Sequence, residues 1–136
     1  MMELLPENQY LDAEDSLFEN DAFDQYQEQC ASEFAFYPGM LVYPALGLAG
    51  EAGEVVEKVK KLIRDDEMPL DENFDTGVLD PEKRLAIALE LGDVMFYVAM
   101  IADDIDYTLG EIAEMNLQKL TDRKERGQLR GSGDNR

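Results

Sequence analysis

Histidine is absent from the 136-residue sequence, and cysteine occurs once, at Cys30. Without histidine, no imidazole can serve as a general base or as a metal ligand. A single cysteine excludes an internal disulfide and a thiolate zinc cluster. Because Cys30 has no histidine partner, we interpret it as a small apolar residue of a helix. Acid–base or metal chemistry in this chain must therefore depend on carboxylates.

Basic residues are scarce as well. The sequence has 12 Lys and Arg against 31 Asp and Glu, for a formal net charge of −19, and none of the basic residues precedes Lys58. A nucleic-acid partner is therefore not expected, since phosphate binding needs a cationic surface. An acidic protein can still bind an anionic substrate when divalent cations bridge the two. The N-terminus has no basic region and no long apolar run, so we expect no signal peptide and a cytoplasmic location.

A convincing strand pattern is also missing, and the chain is predicted to be all-α. Its length fits one domain. We predict an acidic N-terminal arm over residues 1–20, a helical domain over 21–127 and a Gly-rich C-terminal tail over 128–136. Four helices forming a bundle are predicted within the domain, over about 21–36, 44–64, 80–104 and 108–127.

Two of these helices have clear start signals. Asp80 is suited to be an N-cap, with Pro81 at the first helical position and Glu82 near the positive end of the helix dipole. Thr108 and Glu111 have the spacing of a capping box. Both helices are predicted to begin at these residues.

The second helix concentrates acid beside glycine. Glu51 and Glu54 are predicted to border its apolar face, next to Lys58. Gly47, Gly50 and Gly53 follow at intervals of three residues. Each glycine costs a helix about 1 kcal/mol relative to alanine. We interpret the three glycines as a strip without side chains beside the carboxylates, which leaves room for a ligand or an adjoining helix. The alternative is that the glutamates are simply solvated and that the glycines allow close packing.

The third helix is apolar on all sides except at Glu90 and Asp93, which lie one turn apart. We do not expect a membrane span, because two central acids are costly there and the flanks lack basic anchors. We expect the helix to be buried on most sides, and adjacent buried carboxylates need a cation. Ion pairs with Lys58 or Lys61 would form a structural network, but they cannot neutralise both acid pairs. Mg²⁺ or Mn²⁺ is the favoured cation.

The fourth helix places Asn116, Lys119 and Arg123 on one face. These side chains could meet a phosphate chain held by metal on its other side. Basic residues near a helix C-terminus also interact favourably with the helix dipole and need no ligand.

The third helix is apolar enough that one short bundle would not cover it fully, which favours self-association.

Together these segments resemble the MazG-type all-α nucleoside triphosphate pyrophosphohydrolase superfamily, whose pattern is Glu-Glu-x-x-Glu followed by Glu-x-x-Asp and then Asn-x-x-Lys-x-x-x-Arg. The first helix region, from Tyr26 and Gln27, is similar too, and the resemblance covers about residues 23–136. One position departs from the pattern, because Gly50 replaces the leading glutamate and Glu57 is only a partial substitute. The matching stretches of this sequence are GEAGE at 50–54, ELGD at 90–93 and NLQKLTDR at 116–123.

The resemblance implies hydrolysis of a nucleoside triphosphate between its α- and β-phosphates, giving a monophosphate and pyrophosphate. It implies a homodimer or homotetramer. It assigns Mg²⁺, with Mn²⁺ as a substitute, to Glu51, Glu54, Glu90 and Asp93, and either of the first two would accept a proton from water. The implied substrate-binding residues are Lys58, Lys61, Tyr97, Asn116, Lys119 and Arg123.

Several alternatives remain open at this stage. The same site could hydrolyse a particular deoxynucleotide or an alarmone, because one sequence does not reveal the shape of the pocket. A non-catalytic acidic binding module, including a nucleic-acid mimic, fits the net charge of −19. It does not account for Glu90 and Asp93 inside an apolar helix. A purely structural bundle with ion-paired acids is the third alternative.

Overall fold

The computed structural model describes residues 22–65 and 79–127, and these fold into four helices with no strand among them. The all-α prediction is confirmed. The predicted N-terminal arm and C-terminal tail lie outside the described residues, as does most of the connection between the second and third helices. The helices are α1 (Ala22–Glu33), α2 (Val42–Arg64), α3 (Pro81–Asp104) and α4 (Leu109–Glu125).

The predicted helix starts are confirmed for α3 and α4. The backbone N–H of Glu82 donates to the Asp80 carboxylate over 2.9 Å. Thr108 and Glu111 form the reciprocal capping box, with bonds of 2.8 and 3.1 Å. Each cap satisfies backbone donors that have no partner within the helix.

Helix α3 is the centre of the arrangement. Helix α2 packs on α3 and, among the described residues, on no other helix, whereas α1 packs on both α3 and α4. The buried core lies around the C-terminal half of α3 and includes Cys30 of α1, so the interpretation of Cys30 as an apolar helix residue is confirmed. The bundle is therefore open on the side of α2.

Helix α1 fixes the start of α4 through three hydrogen bonds, one of them buried and two partly buried. Gln27, only 6% exposed, donates to the carbonyl of Tyr107 over 2.9 Å and accepts from the N–H of Leu109 over 2.7 Å. Asp24 accepts from the N–H of Gly110 over 2.9 Å. These side chains supply partners that the first turn of α4 would otherwise lack.

The expectation that α3 is buried on most sides is wrong for a single chain. Its buried residues are Ala99, Met100 and Ala102, all near the C-terminal end, whereas Leu85 and Leu89 are 60% and 63% exposed. The reason is geometric, since α1 and α4 cover only the C-terminal half of α3. By length and composition α3 could also cross a membrane, which for one helix is weak evidence.

Candidate active site

Helices α2 and α3 bring three carboxylates together. Glu51 of α2 and Glu90 and Asp93 of α3 each offer an oxygen atom, and these atoms lie within 4.8 Å of one another. Glu90 and Asp93 project from successive turns of α3. Glu51 and Glu90 are half-buried and Asp93 is exposed, so the group is open to solvent on one side. We call these three residues the acid cluster.

The acid cluster carries more negative than positive charge. Burial raises the pKa of Glu51, and the charges of Asp93, Glu90 and Glu54 raise it further. The ammonium of Lys58 lies 3.2 Å from a carboxylate oxygen of Glu90 and offsets one of the charges. Converging carboxylates with an uncompensated charge are a donor set that fits a hard divalent cation such as Mg²⁺ or Mn²⁺.

Two acids of α2 lie outside the cluster. Glu54 was predicted as a metal ligand and a catalytic residue; its side chain is exposed and it is not among the three converging carboxylates, although its charge acts on Glu51. Its role stays a prediction. Glu57 forms ion pairs with Lys60 and with Lys61, the latter over 3.3 Å, so its carboxylate is directed to its own helix. In this conformation it does not replace the acid missing at Gly50.

Aromatic residues lie at one end of the acid cluster. The ring of Tyr97 covers Gly47 so closely that an added Cβ atom there would overlap it. Burial raises the pKa of Tyr97, and the charges of the neighbouring Tyr43 and Glu51 raise it further. Tyr43 stacks on Tyr37, with ring centroids 4.7 Å apart. We call Tyr37, Tyr43 and Tyr97 the aromatic end of the α2–α3 groove.

The sequence analysis missed Tyr37 and Tyr43, and it did not separate the three glycines. Tyr37 lies in the turn between α1 and α2, where no helical spacing indicates its direction. The Tyr97 ring packs closely on Gly47, whereas added Cβ atoms at Gly50 and Gly53 would meet nothing within 4 Å. An added Cβ atom would therefore have open space at two of the three glycines, and the use of this space by a ligand or an adjoining helix stays a prediction.

Basic residues lie at the other end of the groove. Lys58, Lys61 and Lys83 line a cavity of about 250 Å³, together with Asp65 and apolar side chains. We call these three residues the lysine cavity. Lys83 was missed because it lies in the first turn of α3, where the sequence signal was the N-cap.

The predicted substrate-binding residues of α4 lie on a helix that does not contact α2 among the described residues, because α4 packs on α1 and α3. Asn116 lines a separate, mostly apolar groove between α3 and α4, and Lys119 is exposed. The roles of Asn116, Lys119 and Arg123 stay predictions.

Comparisons with known proteins agree with this geometry. Residues 44–127 match the sequence profile of the MazG nucleotide pyrophosphohydrolase domain, a span that contains the whole acid cluster. The chain is 45% identical over 114 residues to the Gene 37 protein of Mycobacterium phage L5, covering 78% of this chain and 92% of that protein. No solved structure matches the chain significantly. The chain belongs to the family of proteins with a MazG nucleotide pyrophosphohydrolase domain.

Proposed function

We propose that this protein is a divalent-cation-dependent nucleoside triphosphate pyrophosphohydrolase, which cleaves between the α- and β-phosphates to give a nucleoside monophosphate and pyrophosphate. The observation that carries the proposal is the convergence of Glu51, Glu90 and Asp93 from two helices. Membership of the MazG family supports the same class of reaction. Control of the nucleotide pool is the role that this chemistry fits.

The four predicted acids would hold the cation, with Glu51, Glu90 and Asp93 already together and Glu54 turning in from the exposed side. When bound, Mg²⁺ or Mn²⁺ offsets the charge of the triphosphate and makes water a better nucleophile. Glu51 or Glu54 accepts the proton of the attacking water, a role that carboxylates can fill. Tyr97 lies beside the acids and offers a ring surface to the nucleoside.

We also propose that the active form is a homodimer or homotetramer. Leu85 and Leu89 of α3 are 60% and 63% exposed, and Val56 of α2 is 66% exposed. Exposed apolar surface of this kind marks an interaction site. Sedimentation equilibrium should give a multiple of the 15.4 kDa chain mass; a monomer at assay concentration contradicts the proposal.

The test of the activity is pyrophosphate release from a panel of ribo- and deoxynucleoside triphosphates, with an alarmone included, in Mg²⁺ and in EDTA. Glu51→Gln and Asp93→Asn should each lower kcat/KM by at least about 100-fold, since losing a ligand exceeds the effect of losing an outer-shell partner. Glu57→Gln is the matched control on the same helix, because Glu57 pairs with Lys60 and Lys61. Wild-type turnover in EDTA, or full activity in both ligand variants, contradicts the proposal.

A further inference from the structure

The ion pair between Lys58 and Glu90 is the feature that the proposed function leaves unexplained. The Lys58 ammonium lies 3.2 Å from a carboxylate oxygen of Glu90, one of the three converging acids that would hold the cation. Lys60 and Lys61, the next lysines of α2, pair with Glu57 instead. Helix α2 thus supplies the acid cluster with a carboxylate and also with an ammonium group.

The register of the two helices directs Lys58 to this place. Lys58 follows Glu51 by seven residues, so the two side chains leave the same face of α2, two turns apart. Because α2 packs on α3, this face brings Glu51 to the acids of α3 and Lys58 to Glu90. The ammonium therefore reaches the acid cluster through the packing of the helices that build the cluster.

Lys58 and a divalent cation would compete for Glu90. Mg²⁺ binds carboxylate oxygens at about 2.1 Å, so an ion on Glu90 would lie close to the ammonium that now contacts this carboxylate. Positive charges at such a short distance repel each other. The Glu90 side chain is only 18% exposed, so water and salt screen this repulsion poorly. The ammonium must therefore leave Glu90 when the cation binds there.

The Lys58 side chain has room to leave Glu90. It is 40% exposed, and it also lines the lysine cavity, whose volume is about 250 Å³. A triphosphate held by the cation would bring anionic oxygen atoms within reach of this flexible side chain. The ammonium can then exchange one anionic partner for another, and it has a partner in both arrangements.

Resting on the proposed function, we infer that Lys58 changes partner during substrate binding. It pairs with Glu90 until the cation arrives, and it then donates a charge-assisted hydrogen bond to a phosphate oxygen of the nucleotide. Lys58 thereby weakens the binding of the cation alone and strengthens the binding of the nucleotide to the metal-loaded site. Through Lys58, the cation and the nucleotide each raise the affinity of the protein for the other by the same factor.

Calorimetry with Mn²⁺ in the absence of nucleotide tests the first half of the inference. Lys58→Gln should bind Mn²⁺ about fivefold more tightly than the wild type, the factor that a partly exposed ion pair contributes to an equilibrium. Lys60→Gln is the matched control, because it removes the same charge from the same helix while Lys60 pairs with Glu57. Its affinity for Mn²⁺ should equal that of the wild type.

The second half is tested in saturating Mn²⁺ with α,β-methylene analogues of the deoxynucleoside triphosphates, which cannot be cleaved between the α- and β-phosphates. Lys58→Gln should bind the analogue about tenfold more weakly than the wild type, the loss expected for one charge-assisted hydrogen bond. Lys58→Arg keeps the charge and the donors, so it should retain most of the affinity. Lys60→Gln should again equal the wild type.

The outcomes separate this inference from the proposed function. Equal or weaker Mn²⁺ binding by Lys58→Gln indicates a purely structural ion pair and overturns the inference, and an unchanged affinity for the analogue overturns it too. If Mg²⁺-dependent turnover accompanies either result, the proposed function stands without the inference. Opposite shifts of the two affinities support the inference even in a protein without turnover, in which case the proposed function alone fails. Absence of Mn²⁺ binding in every variant overturns both.

Discussion

Replacing Gly47 with alanine should leave the free energy of unfolding near its wild-type value, whereas the same change at Gly53 should raise it. Both glycines lie inside α2, where alanine is favoured over glycine by about 1 kcal/mol. At Gly53 an added Cβ atom meets nothing within 4 Å, so the full gain is expected. At Gly47 the added atom would overlap the Tyr97 ring.

The cost at Gly47 follows from what Tyr97 must give up. Overpacking of a filled site typically costs about 1–3 kcal/mol. Tyr97 is only half-buried, so its ring can swing outward, which places the cost near the lower end, at about 1–2 kcal/mol. Subtracting the helix gain of about 1 kcal/mol leaves Gly47→Ala between neutral and about 1 kcal/mol destabilised.

Urea denaturation at one protein concentration measures both effects. The double-mutant cycle with Tyr97→Ala isolates the overlap, since Gly47→Ala should become stabilising by about 1 kcal/mol once the ring is gone. Gly53→Ala should give the same gain in either background. If Gly47→Ala stabilises the wild type as much as Gly53→Ala does, the close packing of Tyr97 on Gly47 is refuted.

Three further predictions concern the acid cluster and its supports. Burial and neighbouring carboxylates raise the pKa of Glu51 above its ordinary value. A glutamate of an unfolded chain has a pKa of about 4.3, so the folded protein holds the Glu51 proton more tightly than the unfolded chain does. The contribution of this proton to folding stability is therefore fully present below about pH 4.3 and is lost as the pH rises through the raised pKa of the folded state. In EDTA, Glu51→Gln should thus be more stable than the wild type at pH 7, with a difference that disappears below pH 4; a difference that persists in acid contradicts this reasoning. Gln27→Leu should lower the free energy of unfolding by about 2–4 kcal/mol in chemical denaturation, because it leaves a buried donor and a buried acceptor without partners; a loss below about 1 kcal/mol contradicts this role. Gly53→Leu fills the open space beside the acids, so KM for the nucleotide should rise while the unfolding midpoint stays close to that of Gly53→Ala; an unchanged KM contradicts the view that substrate uses this space.

Much of the fold could be predicted because its signals are local. Asp80 and Thr108 mark the starts of α3 and α4, and the one-turn spacing of Glu90 and Asp93 ensures that they project together. The resemblance to the MazG-type pattern assigned both Glu51 and Glu54 to the same cation, and Glu51 is the acid of α2 that the structure brings to them. Local spacing does not determine which turn of α2 faces α3, and for this reason Glu54 and Glu51 could not be distinguished.

Features that depend on tertiary packing could not be predicted. Tyr37 and Tyr43 meet only because the turn after α1 folds back onto α2, and Lys83 reaches the lysine cavity only through the pairing of α2 with α3. The incomplete cover of α3 by one bundle was expected from its composition, but the place where it is uncovered, around Leu85 and Leu89, was not. A hydrophobic pattern indicates that a face is buried against some partner, but not whether that partner belongs to the same chain.

The most direct test of the central claim is phosphorus NMR of the products formed from a nucleoside triphosphate by the wild type and by Glu51→Gln in Mg²⁺. The account predicts a nucleoside monophosphate and pyrophosphate from the wild type, no turnover when EDTA replaces Mg²⁺, and a rate at least about 100-fold lower in the variant. A nucleoside diphosphate with inorganic phosphate, or equal rates in the two proteins, would contradict the account.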